Sequence, residues 1–124
     1  MNRLEKREAD GERTKALYNG YVAFVDKWIG ALLDKVDDMG LMDDTVVMFI
    51  SDHGTELMDN GVFSKNGHGP RNYNHQINWM VRMPDKAHAG THVEPFVLSH
   101  GVPATVLHLL GAAPPEPIEG RSAW

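Results

Sequence analysis

Residues 45–54, TVVMFISDHG, hold an unbroken apolar, β-branched run that ends abruptly in aspartate, histidine and glycine. Thr45, Val46, Val47, Met48, Phe49 and Ile50 show no polar alternation, the pattern of a strand buried on both faces of a parallel sheet. Open α/β sheets place ligands beyond the carboxyl ends of their strands. Asp52 stands there with a hard anionic oxygen and His53 with a borderline nitrogen, while Gly54 lets the backbone turn sharply beside them. The combination points to a metal-binding loop. A plain loop in which Asp52 caps the next turn is the competing interpretation, and the flanking sequence decides between the two.

Upstream, residues 2–14 are dense in charge and lack an apolar period, which predicts a solvated helix or a frayed arm. From Leu17 the pattern changes. Leu17, Tyr21, Phe24, Val25, Trp28, Leu32 and Val36 recur at helical spacing among Asp26, Lys27, Asp34, Lys35 and Asp38, predicting an amphipathic helix packed on a sheet. Gly40 is placed to cap that helix in the left-handed conformation, with Leu41 as the apolar contact after it. Asp43 and Asp44 precede the strand, at its wrong end for a ligand site, and are expected in a solvated turn.

Downstream, residues 55–74 form a long stretch rich in glycine with little periodicity, and loops of that length inside compact domains are usually functional. Residues 77–83 predict a second short strand ended by Pro84, residues 85–92 a surface loop, and residues 93–98 a further strand. Residues 103–110 predict a helix with proline in its first turn and Gly111 just past its end. The tail from Ala112 is proline-rich and irregular. Trp28 and Trp79 are expected in the core.

A length of 124 residues allows one small domain, and a net charge of -5 argues against nucleic acid or an acidic membrane surface as principal partner. The chain has no cysteine, so it contains neither a disulfide nor a thiolate nucleophile. No apolar stretch approaches the roughly 20 residues that cross a bilayer, and the charged start does not read as a signal peptide. Cellular location is left open, since an upstream signal would direct the protein to the periplasm or outside the cell and its lack would leave it in the cytoplasm.

Residues 18–54 resemble the sulfatase branch of the alkaline phosphatase superfamily, in which a helix carrying Val-Asp-x-x-Ile-Gly-x-Leu-Leu precedes a strand ending in Ser-Asp-His-Gly. Asp26, Ile29, Gly30, Leu32 and Leu33 fall on that pattern. Met58, Asp59, Asn60 and Gly61 are similar to the family's Gly-Asp-His-Gly, and Lys65 follows 12 positions after His53, as in the family. Gly69-Pro70-Arg71-Asn72-Tyr73 is similar to Gly-Pro-x-x-Tyr, residues 104–111 to the Pro-Thr-x-Leu-x-Leu-x-Gly helix, and Gly120-Arg121-Ser122 to the Gly-Arg-Ser near the end of the catalytic domain. The likeness is co-linear over residues 17–122. It implies an α/β fold, a partial alkaline-phosphatase-like sandwich with a mixed, mostly parallel sheet flanked by helices. Residues 1–16 would be a charged arm or helix start, and residues 17–124 the C-terminal part of the catalytic domain.

Carried over residue by residue, the resemblance implies that Asp52 and His53 are ligands of a divalent cation and that Lys65 contacts the sulfate or the leaving oxygen. Calcium is the expected cation, with manganese or zinc as alternatives. A cation and an ammonium aimed at the ester oxygens are what a sulfate or phosphate ester needs as charge develops in the transition state. Asn60 replaces the family's histidine, and the insertion of Asn66, Gly67 and His68 puts His68 beside Lys65 as a second candidate just before Gly69-Pro70. Gly101 and Ala104 stand where the family has aspartate and proline at its last helix. Arg71 is a candidate clamp for an anionic substrate, and His75 a candidate neighbour of the site. His88 and His92 lie in a predicted loop without a supporting carboxylate motif, and His100 and His108 are expected to pack or face solvent.

The family's Cys-x-Pro-x-Arg or Ser-x-Pro-x-Arg segment, whose cysteine becomes formylglycine, has no match here, nor has its paired aspartate after the first strand. Both are expected in an N-terminal part outside this chain, which alone should not turn over substrate. The implied substrate is a small-molecule or carbohydrate sulfate ester. A phosphonate monoester or phosphodiester hydrolase of the same superfamily is the alternative. A third possibility is a non-catalytic truncated product, whose exposed sheet edge would favour oligomers.

Overall fold

The computed structural model of the chain describes residues 3–58, 63–64, 72–94, 96–114 and 116–124. It is a mixed α/β structure in two compact units, residues 1–89 and 90–124. In the first, helix α1 runs without a break over Arg3–Asp38. The charged segment before Leu17 is therefore a continuation of the helix. Its end follows from Gly40, whose φ of 68° a side-chain-bearing residue adopts only with strain. The amide of Gly40 donates to the Asp37 carbonyl at 2.8 Å and that of Leu41 to Val36 at 3.1 Å, the paired bonds of a Schellman cap.

A single 3-10 turn over Met42–Asp44 leads into β1, Val47–Ile50. Asp43 and Asp44 are exposed in that turn, as expected. β2 is Glu56–Leu57, β3 is Phe63–Ser64, α2 is the single turn Asn72–His75, and β4 is Trp79–Arg82, closed by Pro84. β1 pairs with β4 from Val47↔Arg82 to Ile50↔Trp79, and β2 pairs with β3. The Arg82 guanidinium donates to the Met42 carbonyl at 2.8 Å and ties the entry of β1 to the end of β4.

Both ladders are antiparallel, so the parallel neighbours expected for β1 are not among the described residues. Nor is β1 buried on both faces: Phe49 and its partner Met80 are exposed, and among the described residues each ladder has two strands. The helix expected to pack on a sheet also presents Leu17, Tyr21, Phe24, Trp28 and Leu32 to solvent. Trp28 is thus corrected from core to surface, while Trp79 is half-buried. One physical reason covers all three differences: apolar pattern reports the capacity to be buried, and the covering surface must be supplied by other elements. Among the described residues no hydrophobic side chain is fully buried. No helix among them is long and apolar enough to cross a membrane.

In the second unit α3 spans Gly101–Leu109 and ends at Gly111. Thr105 is buried, its hydroxyl donating to the Gly101 carbonyl at 2.8 Å and accepting from the Ala123 amide at 2.9 Å. His108 bonds to Ser122 at 2.9 Å, so the irregular tail is laid along α3. The strand expected over residues 93–98 is absent among its described residues, where Phe96 is almost fully exposed.

Candidate functional site

The candidate site begins where β1 stops. The Ser51 amide donates to the Asn78 carbonyl at 3.0 Å and the Ser51 hydroxyl accepts from the Asn78 amide at 2.9 Å, which carries the β1–β4 pairing one residue further. Beyond that anchor Asp52 turns outward into solvent. One of its oxygens, Oδ1, accepts from the His53 amide at 2.9 Å, and the other, Oδ2, lies 3.5 Å from His53 Nε2.

The imidazole is oriented from its other nitrogen. His53 Nδ1 is 2.7 Å from the Gly54 carbonyl. A carbonyl oxygen only accepts, so Nδ1 carries the proton in this bond, which in the neutral ring leaves the lone pair on Nε2. A carboxylate oxygen and an imidazole lone pair are therefore side by side, with Asp52 open to solvent and His53 partly so. Donor atoms at that separation can share one cation at bond lengths of about 2.1–2.5 Å, so the pair fits as part of a coordination sphere. Among the described residues no third His, Asp or Glu joins them to complete a metal cluster.

Gly54 has a second role that its turn propensity did not reveal. A Cβ on it would come within 1.6 Å of the Tyr73 carbonyl oxygen, and its amide donates to the Asn74 carbonyl at 3.0 Å. The α2 turn thus lies directly against the Asp-His-Gly loop, with only hydrogen between them. His75, the last residue of α2, is exposed there. Lys65, His68 and Arg71 lie outside the described residues.

Two residues that the sequence did not single out are buried beside this loop. Glu56 is 3 % exposed and Asn74 4 %. Glu56 Oε1 accepts from the Tyr73 hydroxyl at 3.2 Å, whereas Glu56 Oε2 and both amide atoms of Asn74 have no hydrogen-bond partner among the described residues. Burying such groups without partners is costly. Their one sequence signal was position, within a few residues of Gly54 and Tyr73 in the long stretch over residues 55–74.

A strand ending in Ser-Asp-His-Gly within an α/β chain fits the alkaline-phosphatase-like class. The sulfatase family model matches residues 2–112, and the chain belongs to that family. Over 116 residues it is 31% identical to a multifunctional alkaline phosphatase superfamily protein of Trinickia caryophylli, covering 93% of this chain and 22% of that protein. It is 28% identical to an ulvan-active sulfatase of Formosa agariphila over 86% of this chain and 17% of the relative. It is 35% identical to an arylsulfatase of Clostridium perfringens over 44% of this chain and 11% of the relative. The chain spans about a fifth or less of the length of these relatives, and relative to them it is a fragment.

Proposed function

We propose that this chain carries the cation-binding and substrate-facing portion of a sulfatase catalytic domain, its C-terminal part over residues 17–124, and that the complete enzyme hydrolyses sulfate esters of small molecules or carbohydrates. The observation that carries the proposal is the paired donor set at the end of β1, with His53 Nε2 3.5 Å from Asp52 Oδ2 and the ring oriented by Gly54. Sulfatase-type hydrolysis at family level is supported by the family match and by the sulfatases among the relatives.

In this proposal Asp52 and His53 hold a divalent cation, calcium by preference and manganese or zinc as alternatives. The cation supplies Lewis-acid charge to the ester oxygens. Lys65 and His68 offer positive charge or a proton to the leaving oxygen, and Arg71 and His75 bind the anionic end of the substrate. The nucleophile, formylglycine in sulfatases, comes from sequence outside these 124 residues, which contain no cysteine.

A second proposal, a phosphonate monoester or phosphodiester hydrolase, draws on the relative matched over 93% of the chain, which is described as multifunctional. Sulfate and phosphate esters have similar shapes, so the same donors serve either.

The test is paramagnetic broadening by Mn2+ in the NMR spectrum of the chain. The His53 ring signals are expected to broaden first among the seven histidines, Ca2+ to reverse the effect, and Asp52→Asn to abolish it. Uniform broadening of all histidines, or none sensitive to Asp52, would remove Asp52 and His53 as the cation site. Titration with an aryl sulfate and an aryl phosphonate monoester then separates the two ester classes by which one perturbs His75.

A further inference from the structure

The bonds that orient His53 can be followed back to the buried carboxylate of Glu56. Glu56 opens β2, where pairing with Ser64 on β3 fixes its backbone. Its side chain is 3 % exposed, and Oε1 accepts from the hydroxyl of Tyr73, 17 positions away in sequence, at 3.2 Å. Tyr73 lies in α2, a single turn. A helix of one turn has little stability of its own, so its place is set by what ties it to its surroundings.

Two bonds join that turn to its neighbours on the site side. The Tyr73 phenol reaches Glu56, and the carbonyl of the next residue, Asn74, accepts from the Gly54 amide at 3.0 Å. The Tyr73 carbonyl also lies so close to Gly54 that a Cβ would have no room there. Gly54 has wide backbone freedom, and the approach of α2 removes it. Its amide is held by Asn74 and its carbonyl meets His53 Nδ1 at 2.7 Å. With Nδ1 engaged, Nε2 is on the side of Asp52 Oδ2, 3.5 Å away.

We propose that Glu56 is a positioning residue for His53, acting through Tyr73, Asn74 and Gly54, a role in cation binding that rests on Asp52 and His53 being the ligands. Glu56 anchors the phenol, the phenol seats α2, α2 fixes the Gly54 peptide, and the Gly54 carbonyl holds the imidazole with Nε2 presented. Partners that orient a ligating histidine through its other nitrogen are commonly worth 10–100-fold in metal affinity, and a residue acting through such a partner should fall near the lower end.

The test is long-range proton–nitrogen NMR of the imidazoles in the metal-free chain, at a pH well above the ordinary histidine value of about 6.5 so that the rings are neutral. His53 is expected to carry its proton on Nδ1 in the wild type and in Glu56→Gln, which keeps an acceptor oxygen for Tyr73. In Tyr73→Phe and Glu56→Ala the ring should relax to a mixture of both tautomers, and the Mn2+ concentration that half-broadens its signals should rise about 10-fold. A role in stability alone would lower the unfolding midpoint of these two variants and leave tautomer and Mn2+ dependence unchanged; that result in folded Tyr73→Phe would overturn the proposal. Glu56→Gln behaving as Glu56→Ala would also overturn it, since the path needs an acceptor and not a charge. If Glu56→Ala does not fold, Tyr73→Phe decides, because it removes a single oxygen. A wild-type His53 that carries Nδ1–H yet is not broadened by Mn2+ would instead sink the cation reading, and the role of Glu56 in cation binding with it.

Discussion

Gly54 is the residue on which two loops depend. With a Tyr73 oxygen 1.6 Å from where its Cβ would be, Gly54→Ala must push α2 away and break the amide bond to Asn74. The expected loss is on the order of 3 kcal/mol, read as a lower urea midpoint, together with weaker Mn2+ broadening at His53. Tyr73→Phe tests the buried carboxylate next to it. Removing the hydroxyl leaves Glu56 Oε1 without its 3.2 Å donor, at a cost of about 1–3 kcal/mol. Glu56→Gln keeps an acceptor for Tyr73 and removes an ionisable group from a position 3 % exposed, so its midpoint should hold or rise. Opposite responses of these two variants in equilibrium unfolding would establish that the Tyr73 bond, and not the charge, holds the pair. The position of Asp52 and His53 just past β1 was legible because the apolar run ends there. Glu56 and Asn74 were not, because local pattern carries no sign that a polar side chain will be covered by a distant turn.

The helix shows how an element can be read correctly while its surroundings are not. Spacing from Leu17 and the cap at Gly40 placed the end of α1, because a left-handed glycine followed by leucine is a local requirement of chain geometry. Gly40→Ala should therefore cost about 1 kcal/mol and fray the last turn. Gly20 offers the converse. It lies inside α1 with nothing within 4 Å of where a Cβ would be, so Gly20→Ala should raise stability by roughly 0.5–1 kcal/mol. Circular dichroism at the helical band, followed through thermal unfolding, reads both changes and their opposite signs. Strand β1 was recognised in the same way, from its apolar residues. Its antiparallel partner β4 lies far along the chain, and nothing in the run of residues 45–50 identifies a neighbour or its direction.

For the molecule as a whole the decisive fact is that no hydrophobic side chain is fully buried among the described residues, although the chain has 42% hydrophobic composition. Burial of apolar surface is the dominant favourable term in folding, and here much of that surface still faces water. The chain is expected to bind the dye ANS strongly, with Trp28→Glu lowering the fluorescence by removing one of the exposed rings of α1.

Family membership, the extent of the α1 cap, strand β1 and the Asp52-His53 pair could all be read from residue order, because each depends on neighbours a few positions apart. Tertiary contact was needed for the rest. The approach of Tyr73 to Gly54, the burial of Glu56 and Asn74, the antiparallel register of β1 with β4, and the exposure of Trp28 join residues remote in sequence or depend on elements that local pattern does not specify. Hydrophobic spacing marks which face of an element can be buried; only the folded chain determines whether anything covers it.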